Sequence, residues 1–223
     1  ARQILVTEVA AGSPAAGRFA QGDVIVGLAG EPFAGDARLA LGQAITAAEA
    51  GAGNLRLLRW RKGATDEVAL DLPVLGRYGP SAPYDSAKSE KILAAGCAAI
   101  AERGFRDGQG RIQISIPSDL NALALLGSGD EQFLPLVKAY AEAVAKHHPG
   151  GHVSWGYAYE TLFLAEYVLA TGDASVKPGL ERRAMAIARG QSGVGTWGHA
   201  FARPEGNLNG YGCMNQPGIV LTL

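Results

Sequence analysis

Residues 4–33, ILVTEVAAGSPAAGRFAQGDVIVGLAGEPF, constrain this chain more than any other stretch. Short β-branched runs alternate there with turn residues, a pattern suited to antiparallel strands and not to a helix. Ile4, Val6 and Val9 supply the apolar positions of a first strand, and Val24, Ile25, Val26 and Leu28 those of a second. Gly12-Ser13-Pro14 and Gly22-Asp23 turn the chain between them, through glycine φ freedom and local bonding by Ser and Asp. A further turn falls at Gly30-Glu31-Pro32. Residues 35–50 then take helical spacing, with Asp36 as N-cap and Leu41, Ile45 and Ala48 on one face. Gly51-Ala52-Gly53 ends the helix, and residues 54–60 and 67–72 form a hairpin around Lys62-Gly63. A first module therefore covers residues 1–75.

Residues 76–86, GRYGPSAPYDS, have the proline, glycine and polar content of a linker. Beyond them the period becomes helical. Helices are expected over 87–103, from a Ser118 cap through Leu126, and over 131–147, 157–171 and 176–189. A sixth starts near Gln216 and meets no stop signal before Leu223. Strands followed by helices make an α+β chain, and 223 residues are enough for two cores.

Charge excludes several partners. The 20 basic and 21 acidic residues leave a net charge of −1 and no basic stripe, so neither nucleic acid nor an anionic membrane is the expected partner. Arg56, Arg59, Arg61 and Lys62 read as a solvated strand face. Cys97 and Cys213 are too few and too distant for a disulfide framework or a zinc site. His147, His148 and His152 have no carboxylate or thiol beside them and read as cations at a helix end. No metal and no cofactor is expected. No apolar run reaches 18 residues, so no membrane span is expected.

The order strand, GSPAA, GD, VI, helix, hairpin in residues 4–72 resembles a PDZ domain from its third strand onward, over about a third of the chain. PDZ domains bind peptides, and the helix of that fold walls the groove. The resemblance therefore implies that Leu41, Gln43 and Ile45 bind ligand. The first strand, the loop that captures a peptide C-terminus and the ligand-pairing strand that follows it have no counterpart ahead of Ile4, so the chain is expected to be cut at its front and only the helical wall of the groove carries over. Its back end is expected to be cut too. That start, with the PDZ likeness, gives a location outside the cytosol, secreted or periplasmic, as the expectation.

The helical part, residues 87–223, holds two related segments, VSWGYAYE from Val153 and GTWGHAF from Gly195. With the helices around them and GYGCMNQPG from Tyr211, they resemble the α/α toroid of terpenoid cyclases and protein prenyltransferases. In that fold Trp-Gly turns close helical hairpins, and the helices here would make about half of the ring. A PDZ-like module joined to such a toroid resembles an uncharacterised bacterial family found in planctomycetes and relatives.

The toroid enzymes' chemistry is largely lacking. No aspartate-rich motif is present, and Cys213 and His199 have no Asp beside them to complete a zinc set. The leading expectation is non-catalytic recognition of a peptide or protein partner by the PDZ-like module, with the toroid as scaffold. The alternative is a carbohydrate-active or other toroid-type enzyme, with a glycan as partner. Its site would lie at the barrel mouth, with Glu160, His199 and Tyr211 as catalytic groups. Trp155, Tyr157, Trp197 and Asn209 would be the binding groups there. Glycoside hydrolysis needs two carboxylates facing one bond, and Glu160 has no evident second.

Overall fold

The computed structural model describes residues 1–150, 153–208, 212 and 215–222. The chain is α+β, a five-stranded antiparallel sheet followed by helices. It forms two compact units, Ala1–Ile92 and Leu93–Leu223.

In the first unit the elements are β1 (Ile4–Leu5), β2 (Val24–Leu28), β3 (Glu31–Pro32), α1 (Ala37–Ala50), β4 (Asn54–Arg61) and β5 (Ala64–Asp71). The sheet order is β1-β2-β4-β5, with β3 paired back onto β2. Lys62 (φ 49°) and Gly63 (φ 88°) make the two-residue turn between β4 and β5 that suits the twist of a hairpin. Leu55 and Leu57 alternate with solvated residues on β4, as Val68 and Leu70 do on β5. With Phe19, Ile25 and Ala48 of α1 they form the core. Asp36 caps α1 by accepting from the Arg38 N–H at 2.9 Å. Gly27 is required where β2 meets β3, because a Cβ there would overlap the Glu31 carbonyl. The first strand is shorter than its apolar pattern suggests. Val6 still donates to the Asp23 carbonyl at 2.8 Å and accepts from the Gly22 N–H at 2.9 Å, but the Asp23 N–H turns back to Ala20, so the regular ladder ends in a bulge.

The expected linker is folded. Ser86, 1% exposed, accepts from the Gly79 N–H at 3.1 Å, and Lys88 of α2 (Ala87–Arg103) is buried against Glu49 at 2.6 Å. These buried polar contacts hold residues 76–86 in the first unit. The division accordingly falls at Ile92/Leu93, inside α2 and not in the Pro/Gly-rich stretch.

The second unit holds the rest of α2, then α3 (Ile116–Gly127), α4 (Leu134–Lys146), α5 (Val153–Thr171), α6 (Lys177–Arg189) and α7 (Asn215–Thr222). Ser115, not Ser118, caps α3. It is the extended residue whose hydroxyl accepts from the Ser118 N–H, and Pro117 sits in the first turn, where its missing donor costs nothing. Helix α5 starts four residues earlier than the sequence suggests, so Trp155 and Gly156 lie inside it and make no turn. Gly156 serves close packing: a Cβ would come within 2.9 Å of the Pro149 side chain. The core runs through Phe105, Leu125, Val137, Tyr140, Val144, Phe163, Leu164 and Tyr167. Among the described residues no helix is long and apolar enough to cross a membrane.

Candidate functional site

Two places gather the residues that the sequence singled out. The first is a groove of about 520 Å³ on the sheet unit. Its sides are the extended segment 4–9 and helix α1, which contributes Leu41, Ile45 and Glu49. The floor is Phe19, Ile25, Leu55, Leu57 and Leu70. Leu41 and Ile45 are four apart, so one turn of α1 sets them on the same face. Gln43 lies between them in sequence and half a turn away in space. It is exposed on the outer face of α1 beside Arg38, Thr46 and Tyr78, and it takes no part in the groove. Of the three wall residues expected from the sequence, Leu41 and Ile45 line the groove and Gln43 does not, while Glu49, one turn beyond Ile45, does.

β1 is the edge of the sheet. Val6 bonds to Asp23, and the antiparallel alternation makes Ile4 and Ile25 the next bonded pair. Leu5 and Thr7 consequently turn their N–H and C=O groups away from β2. Leu5 is 60% exposed, an apolar side chain on an open strand edge.

Charge pairs secure the sheet at the start of β2 and along β4 and β5. Asp23, 2% exposed, accepts a two-pronged contact from Arg61, Nε to Oδ1 and Nη2 to Oδ2, each at 2.6 Å. The Ala20 N–H adds a third bond at 2.8 Å. The Arg61 hydrogen bonds hold the Asp23 pKa down at about 2 against the opposing effect of burial. Arg56 and Arg59 pair with Glu67 and Asp66. Three of the four cations in that cluster are thus committed to carboxylates, and with Arg59 13% exposed at its side chain and Arg61 held on the buried Asp23, the cluster is an ion-paired face, not the solvated one read from the sequence.

The second place is a buried charged centre among α3, α4, α5 and α6. Arg183, 1% exposed, donates to Glu160 Oε2 at 2.9 Å and to the carbonyls of His147 at 2.7 Å, Gly179 at 3.1 Å and Val144. Those carbonyls include the last turn of α4, so the guanidinium closes that helix end. Glu160 Oε1 lies 2.9 Å from His147 Nδ1. Both oxygens of Glu160 are therefore occupied, and the residue is a counter-ion inside the fold. Nearby, Tyr140 donates to Asp119 Oδ1 at 2.8 Å, while Oδ2 is buried with no partner. Burial is the main force on Asp119 and pushes its pKa up to about 7; the Tyr140 hydrogen bond opposes it.

The other mouth residues are spread over different surroundings. Trp155 stacks on Tyr159, and Tyr157 packs against Phe201. Trp197 is buried, and its indole N–H donates to the Ile187 carbonyl at 2.9 Å. The His199 carbonyl accepts from the Ser154 N–H at 3.2 Å. Asn209 and Tyr211, with His152 and Cys213, lie outside the described residues. Trp197 also borders a cavity of about 750 Å³ between α5, α6 and α7, but Trp155, Tyr157, Glu160 and His199 do not line it. Among the described residues no group of three or more His, Cys, Asp or Glu could hold a metal.

Residues 89–223, more than half of the chain, match a family described as a domain of unknown function, DUF6288. The chain belongs to that family. No curated protein and no solved structure matches it. The DUF6288 region contains the Glu160–Arg183 centre and every expected mouth residue, whereas Leu41 and Ile45 precede it.

Sequence reasoning missed Arg183, Asp119, Tyr140 and Lys88. Arg182 and Arg183 are adjacent, yet Arg182 is exposed and Arg183 is buried. The one available signal was helical phase, since Gly179, Arg183 and Ile187 recur every four residues on the buried face of α6.

Proposed function

We propose that the sheet unit is a PDZ-like recognition module that takes up an extended peptide by strand addition, with the DUF6288 region as its scaffold. The observation that carries this reading is an open strand edge beside an apolar groove, walled by Leu41 and Ile45. A peptide laid along β1 would pair its backbone with the outward groups of Leu5 and Thr7 and set alternate side chains into the groove. Main-chain bonds would supply affinity and the groove would supply selection.

The enzymatic alternative draws less support. Glu160, its only carboxylate, is paired with Arg183 and lies within hydrogen-bond distance of His147, and Trp197 uses its polar atom on the backbone.

The test is titration of the chain with labelled peptides that favour the extended state, followed by amide chemical shifts. Binding should move the amides of Leu5, Thr7, Leu41 and Ile45. Thr7→Pro, which removes one outward N–H and leaves the Val6–Asp23 bond intact, should weaken binding at least tenfold. Shifts confined to α5 and α6 would overturn the reading.

A further inference from the structure

A cleft of about 630 Å³ lies in the helical unit beside the Arg183 centre, between the end of α4 and the start of α6. Ala145 and Gly179 line it where the two backbones nearly touch: a Cβ on Gly179 would stand 2.7 Å from the Ala145 Cα. Lys146, His148 and Arg182 border it, and among the described residues Glu142 is the one acidic side chain in its lining. All four are exposed, so a ligand reaches them without any opening of the fold. Cations close by are matched, Lys138 by Asp173 at 3.2 Å and Arg183 by Glu160 at 2.9 Å. Lys146, His148 and Arg182 form no ion pair among the described residues. Glu142 stands one helical turn before Lys146, a spacing at which acid and lysine commonly pair, and it too forms no ion pair among the described residues.

Arg182 is exposed but held in place. Its Nη2 donates at 2.5 Å to the Ala145 carbonyl, which also accepts from Arg183 Nη1 at 3.3 Å. One corner of the guanidinium is thus tied to α4, and its other N–H groups have no acceptor among the described residues. A guanidinium positioned in advance loses less freedom when it takes up a ligand.

A planar fork, an ammonium and an imidazole around one space match an anion with oxygens on several sides and more than one negative charge. A phosphate monoester has both properties at neutral pH. The cleft is also larger than a bare phosphate requires and falls in the size range of small-molecule sites. Glu142, farther back along α4, would repel a second anionic group and accept hydrogen bonds from hydroxyls. The cations therefore select one end of a ligand and the carboxylate selects the other.

We propose that this cleft binds a small phosphate monoester whose organic part carries hydroxyl groups. Arg182, Lys146 and His148 hold the phosphate, and Glu142 accepts from the hydroxyls. The assignment rests on the helical unit alone and is independent of strand addition in the sheet unit.

Calorimetric titration of the chain at low salt tests it, with glycerol 3-phosphate, glucose 6-phosphate, inorganic phosphate and glucose as probes. At least one ester should bind about fivefold or more tightly than inorganic phosphate, and glucose should not bind. Lys146→Gln and Arg182→Gln should each weaken the ester about fivefold, the loss of one charge-assisted contact. Glu142→Gln should narrow the gap between ester and inorganic phosphate. Thermal melts establish that each variant is folded; Lys146→Gln, at an exposed side chain with no ion pair among the described residues, removes no native contact of that kind. Absence of binding by both esters overturns the proposal. So does inorganic phosphate that binds as tightly as either ester, or ester binding that Lys146→Gln and Arg182→Gln leave unchanged.

Discussion

The Arg183 guanidinium reaches the backbone of α4 and the carboxylate of Glu160 together, and it does so while 1% exposed. Arg183→Met would remove the bonds to the α4 carbonyls and strand Glu160 as an unmatched buried charge. Losing one member of a buried pair costs about 3–5 kcal/mol, so the helical unit should melt well below the parent protein. Adding Glu160→Gln should recover part of the loss, because the stranded charge is then gone; thermal melts of the three variants check this. Asp119 behaves oppositely to an ordinary carboxylate. Its proton is held up to about pH 7 in the folded unit, against 3.8 as the ordinary value. Its contribution is therefore complete below pH 3.8, shrinks as pH rises, and is gone above about 7. Over that interval the loss is at most ~4 kcal/mol. Tyr140, Glu160 and Arg183 are the titratable and charged groups that act on it. Asp119→Asn keeps an acceptor for Tyr140 and carries no charge, so its stability between pH 4 and 7 should be flat where the parent's declines. A parent profile as flat as the variant's would remove Asp119 as the cause.

Helix α6 approaches α4 so closely at Gly179 that a Cβ would stand 2.5 Å from the Ala145 carbonyl oxygen. The obstacle is backbone, which cannot swing aside as a side chain would. Gly179→Ala should push the two helices apart and loosen the Arg183 contacts, at a cost of about 1–3 kcal/mol despite alanine's better helix propensity. The measurement is the denaturation midpoint, with Gly42→Ala as control, where among the described residues no atom outside the glycine's own helix backbone and chain neighbours lies within 4 Å of the added carbon. In the sheet unit, the Lys62-Gly63 turn and the 61–64 pairing were legible from turn chemistry, because a two-residue hairpin needs positive φ at both central positions. The early start of α5 was not legible. Gly156 reads as a helix breaker, and only its contact with Pro149 shows that the missing side chain makes room.

The two units should answer pH independently. In the sheet unit the depressed carboxyl is Asp23, held at about 2, so its contribution is present above 3.8 and disappears as pH falls through 2. Asp36 and Asp66 are lowered as well, by Arg38 and Arg59. Calorimetry should then resolve two transitions. Between pH 4 and 7 the helical one should fall with rising pH while the sheet one stays in place. Below pH 4 both should fall, because Asp107 and Asp173 of the helical unit are lowered as well. A single transition moving as a whole would mean that α2, which is continuous across Ile92/Leu93, couples the units into one cooperative body.

The α+β order, the hairpin, the Asp36 cap and most helices follow from the sequence alone, because each depends on period, turn residues or capping within a few positions. So does the grouping of Leu41 with Ile45, which one turn of helix secures. Burial of charge was decided by the tertiary structure. Only helical phase sets Arg183 apart from Arg182, and nothing local distinguishes Asp119 from a helix-start acid or Lys88 from a solvated lysine at the end of a linker. Glu160 shows why this matters for function: as a lone carboxylate between aromatics it suggests a catalytic acid, and the fold supplies Arg183 from 23 residues away to occupy it. A side chain's chemistry is set by what surrounds it, and those neighbours are distant in the chain.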